Sequence, residues 1–226
     1  MSLVGVVFDL DGVLVQSEHL WEEAWLEYAT ASGYAWTAHD TRSCQGMSVQ
    51  EWGSYLADRT THDTPAAIEA VIGSVAHAYD SGQVSLVDGA QDLVRSISAR
   101  VPIALASSAP RRIIDTVMGV MGLGPWFGAT VSSSEVAAGK PSPDVYLEAI
   151  RKLGIRAAGS LAVEDSSNGI RAAAAAGLTV LAIPNPAYPL AADAGGAADS
   201  IHTSLDSVGR RMLALLDALH ATEDDR

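Results

Sequence analysis

The chain has 226 residues, of which 48% are hydrophobic and 18% charged, and its formal net charge is −13. This length and apolar content are enough for one large globular domain or two smaller ones. The sequence is acidic overall and contains no cluster of basic residues, which argues against nucleic acid and anionic membrane surfaces as partners. Cys44 is the single cysteine, so no internal disulfide can form. No signal peptide or membrane span is predicted, and we expect a cytoplasmic protein.

The first predicted element is a short strand over residues 4–8, which leads directly into Asp9-Leu10-Asp11-Gly12. Its mostly apolar residues are typical of a strand that is buried on both faces of a parallel sheet. In continuing strand geometry, the carboxylates of Asp9 and Asp11 would point the same way. Two like charges beside a hydrophobic strand favour a metal or catalytic site, and a plain polar turn is the alternative.

The sequence pattern of residues 17–82 predicts a helical block without a buried strand. Ser17 is the expected N-cap of its first helix. Its expected helices cover about 18–32, 38–44, 48–58 and 64–79. Strands and helices alternate over residues 86–220, which is typical of βαβ units. The expected strands after the first lie near 101–106, 129–131, 160–163, 179–183 and 198–201, and the expected helices near 90–100, 111–121, 142–154, 170–176 and 205–219.

These patterns predict an α/β fold, a Rossmann-like parallel sheet covered by helices on both faces, with an inserted all-helical cap domain. We expect residues 1–16 and 83–226 to form the catalytic core domain. Residues 17–82 would form the cap domain, which is inserted after the first strand of the core.

Polar side chains come directly after three of the predicted strands: Asp9 with Asp11, Ser107, and Glu164 with Asp165. Because ligands bind outside the carboxyl ends of the strands in such sheets, we expect these side chains to converge. Lys140 lies in a Gly-Lys-Pro loop before a helix, from which a cation could reach the same edge. Carboxylates with a lysine and a hydroxyl predict a site for a divalent cation and a phosphoryl group, and such hard oxygen ligands suit Mg²⁺.

Each of these signals has a simpler explanation when it is taken alone. Ser107 could cap a helix, and Lys140 could be a solvated loop lysine. Glu164 and Asp165 could merely stabilise the start of a helix. The catalytic interpretation therefore depends on their occurring together after successive strands.

The motifs Asp9-Leu10-Asp11-Gly12, Ser107, Lys140-Pro141 and Glu164-Asp165 resemble, in the same order, those of the haloacid dehalogenase superfamily of phosphotransferases. Within this superfamily, the chain most resembles the β-phosphoglucomutase-like phosphatases, which carry a helical cap between the first two motifs. The resemblance implies that Asp9 is the nucleophile that forms an aspartyl-phosphate and that Asp11 is the general acid and base. Ser107 and Lys140 would hold the transferring oxygens, and the neighbouring Ser108 would bind substrate.

The resemblance also implies a Mg²⁺ ion held by the Asp9 carboxylate, the Asp11 backbone carbonyl and Asp165. Glu164 would be either a further ligand or a residue just outside the ligand set.

Cap residues separate phosphatase from mutase activity within this subgroup. A histidine, a lysine and an arginine are important in β-phosphoglucomutase, and Trp21, Gln45 and Val49 stand at those positions here. These departures favour a phosphatase, and the stretch around Trp21 resembles 2-deoxyglucose-6-phosphate and hexitol phosphatases. That likeness implies contacts between the cap and a sugar phosphate. The cap residues expected to bind substrate are Trp21, Gln45, Gly46 and Ser48.

We therefore expect a Mg²⁺-dependent phosphomonoester hydrolase that acts on a small phosphorylated metabolite, a sugar or polyol phosphate, as a monomer or weak dimer. A phosphomutase of the β-phosphoglucomutase type is the main alternative. A catalytically silent relative that only binds a phosphorylated metabolite is a further one, which Asp9 disfavours because a binding protein needs no nucleophile.

Overall fold

The computed structural model describes residues 4–45, 47–186 and 188–224, and over these ranges it contains eight strands and ten α-helices. The strands are β1 (Val6–Phe8), β2 (Val15–Gln16), β3 (Ser85–Leu86), β4 (Ile103–Ser107), β5 (Ala129–Ser132), β6 (Leu161–Glu164), β7 (Thr179–Ala182) and β8 (Ser200–Ile201). The helices are α1 (Glu18–Ala31), α2 (Ala38–Cys44), α3 (Val49–Arg59), α4 (Thr64–Asp80), α5 (Ala90–Ser98), α6 (Arg111–Val120), α7 (Asp144–Leu153), α8 (Ser167–Ala175), α9 (Ala192–Ala197) and α10 (Leu205–Asp224).

The main sheet is parallel, with the strand order β5-β4-β1-β6-β7-β8 over the described ranges. In β1, Val6 and Phe8 pack into one apolar cluster and Val7 packs into the other, so that helices cover both faces. Strand β1 lies between β4 on one side and β6 on the other, which are reached by separate connections later in the chain. This arrangement confirms the predicted Rossmann-like sheet, and it opens a crevice at the carboxyl end of β1.

Helices α1–α4 occupy the stretch that was predicted to be helical, between β2 and β3. Asp40, which is 3% exposed, links parts of this helical block. Its carboxylate accepts hydrogen bonds from the hydroxyls of Thr37 and Tyr55 at 2.6 and 2.8 Å. Burial favours a higher pKa for Asp40, but these hydrogen bonds lower its pKa to about 2. None of the described helices has both the length and the hydropathy that a membrane crossing requires.

Three small elements were not predicted: strands β2 and β3 and helix α9. Strands β2 and β3 pair antiparallel, with Val15 opposite Leu86, so the two connections between the helical block and the sheet run side by side. A two-residue strand is too short to carry a periodic signal. Helix α9 was also missed, because its two glycines, Gly195 and Gly196, have low helix propensity.

Candidate active site

Residues that are far apart in sequence meet at the carboxyl end of the sheet. Asp9 follows β1 and is 6% exposed, and Glu164 ends β6 and is fully buried. Lys140, in the loop before α7, is also buried, and its Nζ donates to Asp9 Oδ1 at 2.5 Å and to Glu164 Oε1 at 2.6 Å. The crevice thus brings three of the predicted site residues into direct contact.

Both oxygens of the Glu164 carboxylate are occupied by donors. Oε1 accepts from Lys140 and from the Tyr146 hydroxyl at 2.7 Å. Oε2 accepts from the backbone N–H groups of Asp165 and Ser166 at 3.1 and 3.2 Å, and from the Ser166 hydroxyl at 3.1 Å. A carboxylate with this many donors is suited to orienting Lys140, and it has little capacity left to bind a cation.

Two glycines leave room for the carboxylates of the site. Gly12 has φ +76°, and a Cβ at this position would lie 2.1 Å from Asp165 Oδ2. A Cβ at Gly169, in the first turn of α8, would lie 1.8 Å from Glu164 Oε1. Any larger residue at either position would displace a carboxylate of the site.

Oxygen atoms of Asp9, Glu164 and Asp165 lie within 4.8 Å of one another. Because Glu164 is already occupied by donors, Asp9 and Asp165 are the carboxylates best placed to hold a metal ion. Together with Asp11, these carboxylates outnumber Lys140, and this local excess of negative charge favours a divalent cation. Carboxylate and backbone oxygens are hard ligands, so the donor set fits Mg²⁺.

The protonation of this cluster follows from its burial and crowding. Burial raises the pKa of Asp9 to about 8, an increase that Lys140 opposes and that Glu164 and Asp11 enhance. The pKa of Asp165 is also raised, by burial first and then by Glu164 and Asp9. Burial disfavours the charge on Lys140, but contact with Asp9 and Glu164 outweighs burial and raises its pKa. A cation bound here would lower the pKa values of Asp9 and Asp165.

Asp11 contacts the first helix of the insert. Because β1 ends at Phe8, strand alternation does not set the direction of Asp11, and its Oδ1 accepts hydrogen bonds from the Ser17 hydroxyl and from Trp21 Nε1, the latter at 3.2 Å. Ser17 stands at the N-cap position of α1, as predicted, but its hydroxyl donates to Asp11 and does not cap the helix. Burial raises the pKa of Asp11, and the two hydrogen bonds oppose that rise.

A cavity of about 430 Å³ opens over this cluster, between the sheet edge and α1–α3. The predicted site residues that line it are Asp9, Asp11, Trp21, Gln45, Ser108, Lys140 and Asp165.

Two predicted site residues, Ser107 and Ser48, do not line the cavity. Ser107 is fully buried at the end of β4, where its Oγ accepts from the Ala109 N–H at 3.0 Å, and it is outside the cavity lining. Ser48 caps α3 through the Glu51 N–H and is also outside the lining. Gly46 lies outside the described residues.

Several residues of the site were not predicted. Tyr146 on α7 supports Glu164, although its spacing indicates only helix packing. The loop after β7 contacts α1, since Asn185 donates to Glu18 at 2.8 Å and the Tyr188 hydroxyl donates to Glu22. These contacts join residues more than 160 positions apart in the sequence, so no local pattern could have revealed them.

Comparisons with known proteins agree with this geometry. The chain matches the haloacid dehalogenase-like hydrolase family over residues 4–177. It is 31% identical to CbbY of Rhodobacter capsulatus in an alignment of 201 positions that covers 82% of this chain and 87% of that protein. It is 28% identical to hexitol phosphatase B of Escherichia coli (strain K12) in an alignment of 194 positions that covers 82% of this chain and 85% of that protein. The crystal structure of CbbY from Rhodobacter sphaeroides in complex with phosphate has a TM-score of 0.80 and 25% identity, covering 90% of this chain and 95% of that one.

The parallel sheet, its acidic carboxyl edge and the inserted helices define a phosphatase of the capped α/β class. The chain belongs to the haloacid dehalogenase-like hydrolases. The family inferred from the motifs is thereby confirmed.

Proposed function

We propose that this protein is a Mg²⁺-dependent phosphomonoester hydrolase that acts on a sugar or polyol phosphate through an aspartyl-phosphate at Asp9. The contact between Asp9 and Lys140, beside Asp11 and Asp165 in one cavity, is the observation that carries the proposal. With these roles, a nucleophile, an acid and a cation would surround one reacting group. The likeness to hexitol phosphatase B supports the class of substrate.

The Asp9 carboxylate, the Asp11 backbone carbonyl and the Asp165 carboxylate would hold Mg²⁺. When bound, the ion offsets the repulsion between the carboxylates and an anionic phosphate and keeps Asp9 ionised. Lys140 and Ser108 would hold the transferring oxygens from the cavity wall, and Ser107 would do so from the end of β4.

Hydrolysis would proceed in two displacements at phosphorus. In the first, an Asp9 oxygen forms a bond to phosphorus while the bond to the leaving oxygen breaks, and Asp11 protonates the leaving alkoxide. Ser17 and Trp21 both donate to Asp11 Oδ1, which leaves Oδ2 to carry that proton. In the second, Asp11 Oδ2 takes a proton from water, whose oxygen attacks phosphorus and releases inorganic phosphate from Asp9.

Residues 17–82 would act as a cap on a core formed by residues 1–16 and 83–226. The cavity is shared between these two parts, since Trp21 and Gln45 line it from one side and Lys140 from the other. The paired strands β2 and β3 would form the hinge through which the cap opens for substrate and closes to exclude water.

Phosphate release from p-nitrophenyl phosphate and from a panel of sugar and polyol phosphates, with Mg²⁺ and with EDTA, tests the proposal. We expect turnover only with Mg²⁺, its loss in Asp9→Asn, and full activity in the matched surface control Asp88→Asn. Mass spectrometry of the quenched reaction should find a phosphoryl adduct on the peptide that carries Asp9. Undiminished activity in Asp9→Asn would refute the assignment of the nucleophile. Formation of glucose 6-phosphate from β-glucose 1-phosphate faster than phosphate release would favour the mutase alternative.

A further inference from the structure

The loop that carries Lys140 is closed by its own hydrogen bonds. Asp144, at the start of α7, accepts from the Ala138 N–H at 3.1 Å and from the Ser142 hydroxyl at 2.8 Å. These two bonds connect the chain before Lys140 to the chain after it. The backbone on both sides of Lys140 is therefore held in place, and the direction of its ammonium group depends on the partners of the side chain.

Two of the three N–H donors of the Lys140 ammonium have carboxylate acceptors. They donate to Asp9 Oδ1 at 2.5 Å and to Glu164 Oε1 at 2.6 Å. Once these two directions are fixed, the tetrahedral geometry of the ammonium fixes the direction of the third N–H. This third donor is the one that can meet a transferring oxygen of the substrate. The position of Glu164 Oε1 therefore controls where Lys140 aims it.

Tyr146, on α7, holds the same oxygen of Glu164. Its hydroxyl donates to Oε1 at 2.7 Å, beside the hydrogen bond from Lys140. Three donors from residues 165 and 166 hold the other oxygen, Oε2. The carboxylate is thus fixed at both ends without help from Lys140, and it need not follow the ammonium when Lys140 turns toward the substrate.

The ring of Tyr146 also contacts Lys140. The Lys140 Nζ lies 5.1 Å from the ring centroid, which is within the range of a cation–π interaction. Burial and then the charge of Glu164 raise the pKa of Tyr146 well above its usual range, so the hydroxyl keeps its proton and stays a donor. Tyr146 is fully buried and does not line the cavity, so it is not placed to touch a bound substrate.

We propose that Tyr146 is a positioning residue for phosphoryl transfer, whose hydroxyl fixes Glu164 Oε1 and thereby aims the third N–H of Lys140 at a transferring oxygen. This inference rests on the proposed phosphatase activity and extends it to a residue that acts only through others. The transferring oxygens become coplanar only in the transition state, so a misdirected donor costs more there than in the bound substrate. Loss of the hydroxyl should therefore lower kcat and leave KM nearly unchanged.

Kinetics of Tyr146→Phe test the inference, because this change removes the hydroxyl and keeps the ring. With p-nitrophenyl phosphate and Mg²⁺, we expect kcat to fall about tenfold and KM to stay within about twofold. In Glu164→Gln, the same change should lower kcat by less than about twofold, because the hydroxyl acts through that carboxylate.

Tyr55→Phe is the matched control. It also removes a hydrogen bond from a tyrosine hydroxyl to a buried carboxylate, that of Asp40 at 2.8 Å, but both residues lie outside the cavity lining. We expect it to keep the kcat of the parent.

A measurement without turnover separates this inference from the proposed activity. Lys140 and Lys152 are the only lysines in the sequence, so labelling lysine with ¹⁵N at Nζ gives ammonium signals that NMR can assign through Lys152→Arg. Because Lys140 is buried and hydrogen-bonded, its ammonium protons should exchange slowly with water. Tyr146→Phe should speed this exchange about fivefold, whereas Tyr55→Phe should leave it unchanged.

Each outcome decides the inference. An unchanged kcat in Tyr146→Phe, an equal loss in Tyr55→Phe, or a full effect that persists in Glu164→Gln would overturn it. An unchanged exchange rate in Tyr146→Phe would do the same, as would the lack of a Lys140 signal in the parent, since the ammonium would then not be held by these contacts. Absence of turnover with every phosphate would instead end the proposed function, and the exchange rates would still decide whether Tyr146 fixes Lys140.

Discussion

Replacing Gly169 with alanine would test how closely the packing of α8 controls the position of Lys140. The new Cβ would lie 1.8 Å from Glu164 Oε1, whereas ordinary contact of a Cβ begins at 3.4 Å. The Glu164 carboxylate would therefore have to move by about 1.6 Å or the helix would have to shift. Oε1 is the atom that accepts from Lys140 and Tyr146, at 2.6 and 2.7 Å, so a displacement of this size breaks both hydrogen bonds.

The expected magnitude follows from those two hydrogen bonds. Loss of the charged one from Lys140 costs about 2 to 3 kcal/mol, and loss of the one from Tyr146 costs about 1 kcal/mol. Alanine recovers up to about 1 kcal/mol in helix propensity. We therefore expect the free energy of unfolding to fall by about 3 kcal/mol. Since Lys140 would lose one of its two carboxylate partners, kcat should fall by about a hundredfold.

Urea denaturation, together with steady-state kinetics on p-nitrophenyl phosphate, measures both effects. Gly119→Ala is the matched control, because Gly119 lies near the end of α6 with no atom within 4 Å of the Cβ position. It should keep full activity and gain up to about 1 kcal/mol of stability. If the free energy of unfolding of Gly169→Ala lies within about 0.5 kcal/mol of the parent value and kcat is retained, the Glu164 carboxylate is not held as tightly as its contacts indicate.

Three further predictions concern the rest of the chain. The pKa of Asp40 is lowered to about 2 in the folded state, so the stability that this carboxylate contributes is complete above its unfolded pKa of about 4 and is lost as the pH falls toward 2. Between pH 5 and pH 2 the free energy of unfolding of the parent should therefore fall by about 2 kcal/mol more than that of Asp40→Asn. Urea denaturation at each pH measures the difference. Tyr188→Phe removes the hydrogen bond from the loop after β7 to Glu22. It should raise KM for p-nitrophenyl phosphate about threefold and leave kcat unchanged. An unchanged KM would show that this contact does not favour the substrate-bound form. Millimolar Mg²⁺ should raise the melting temperature of the parent protein by a few degrees, about 2 to 4 °C, and leave that of Asp165→Asn unchanged; equal shifts would place the ion elsewhere.

Local sequence patterns were sufficient for most of the secondary structure. Helix α2 begins and ends at the residues predicted for it, and α3 begins one residue later than predicted, after its Ser48 cap. Caps, apolar runs and glycine stops act within a few residues of one another, so they can be recognised without knowledge of the tertiary structure. Strands β2 and β3 escaped prediction because they depend on each other for pairing and have no periodic signal of their own.

The convergence of acidic residues and Lys140 was also predictable, since parallel strands bring their carboxyl ends to one edge. The roles assigned to Ser107 and Ser48 stay predictions, as does the substrate role of Gly46. Ser107 is buried, and its hydroxyl accepts from the backbone of Ala109, which a motif alone could not foresee.

The sequence by itself determined the kinds of element, their order and the chemical groups available at the sheet edge, because these depend on residue type and short-range spacing. Only the tertiary structure decided how those groups are paired. It assigned Glu164 to Lys140, Asp11 to Ser17 on the insert, and the rings of Trp21, Trp25 and Trp52 to one cluster beside the cavity. Such pairings depend on strand register and on loops that bring distant residues together, and each side chain takes its partner from the packing around it.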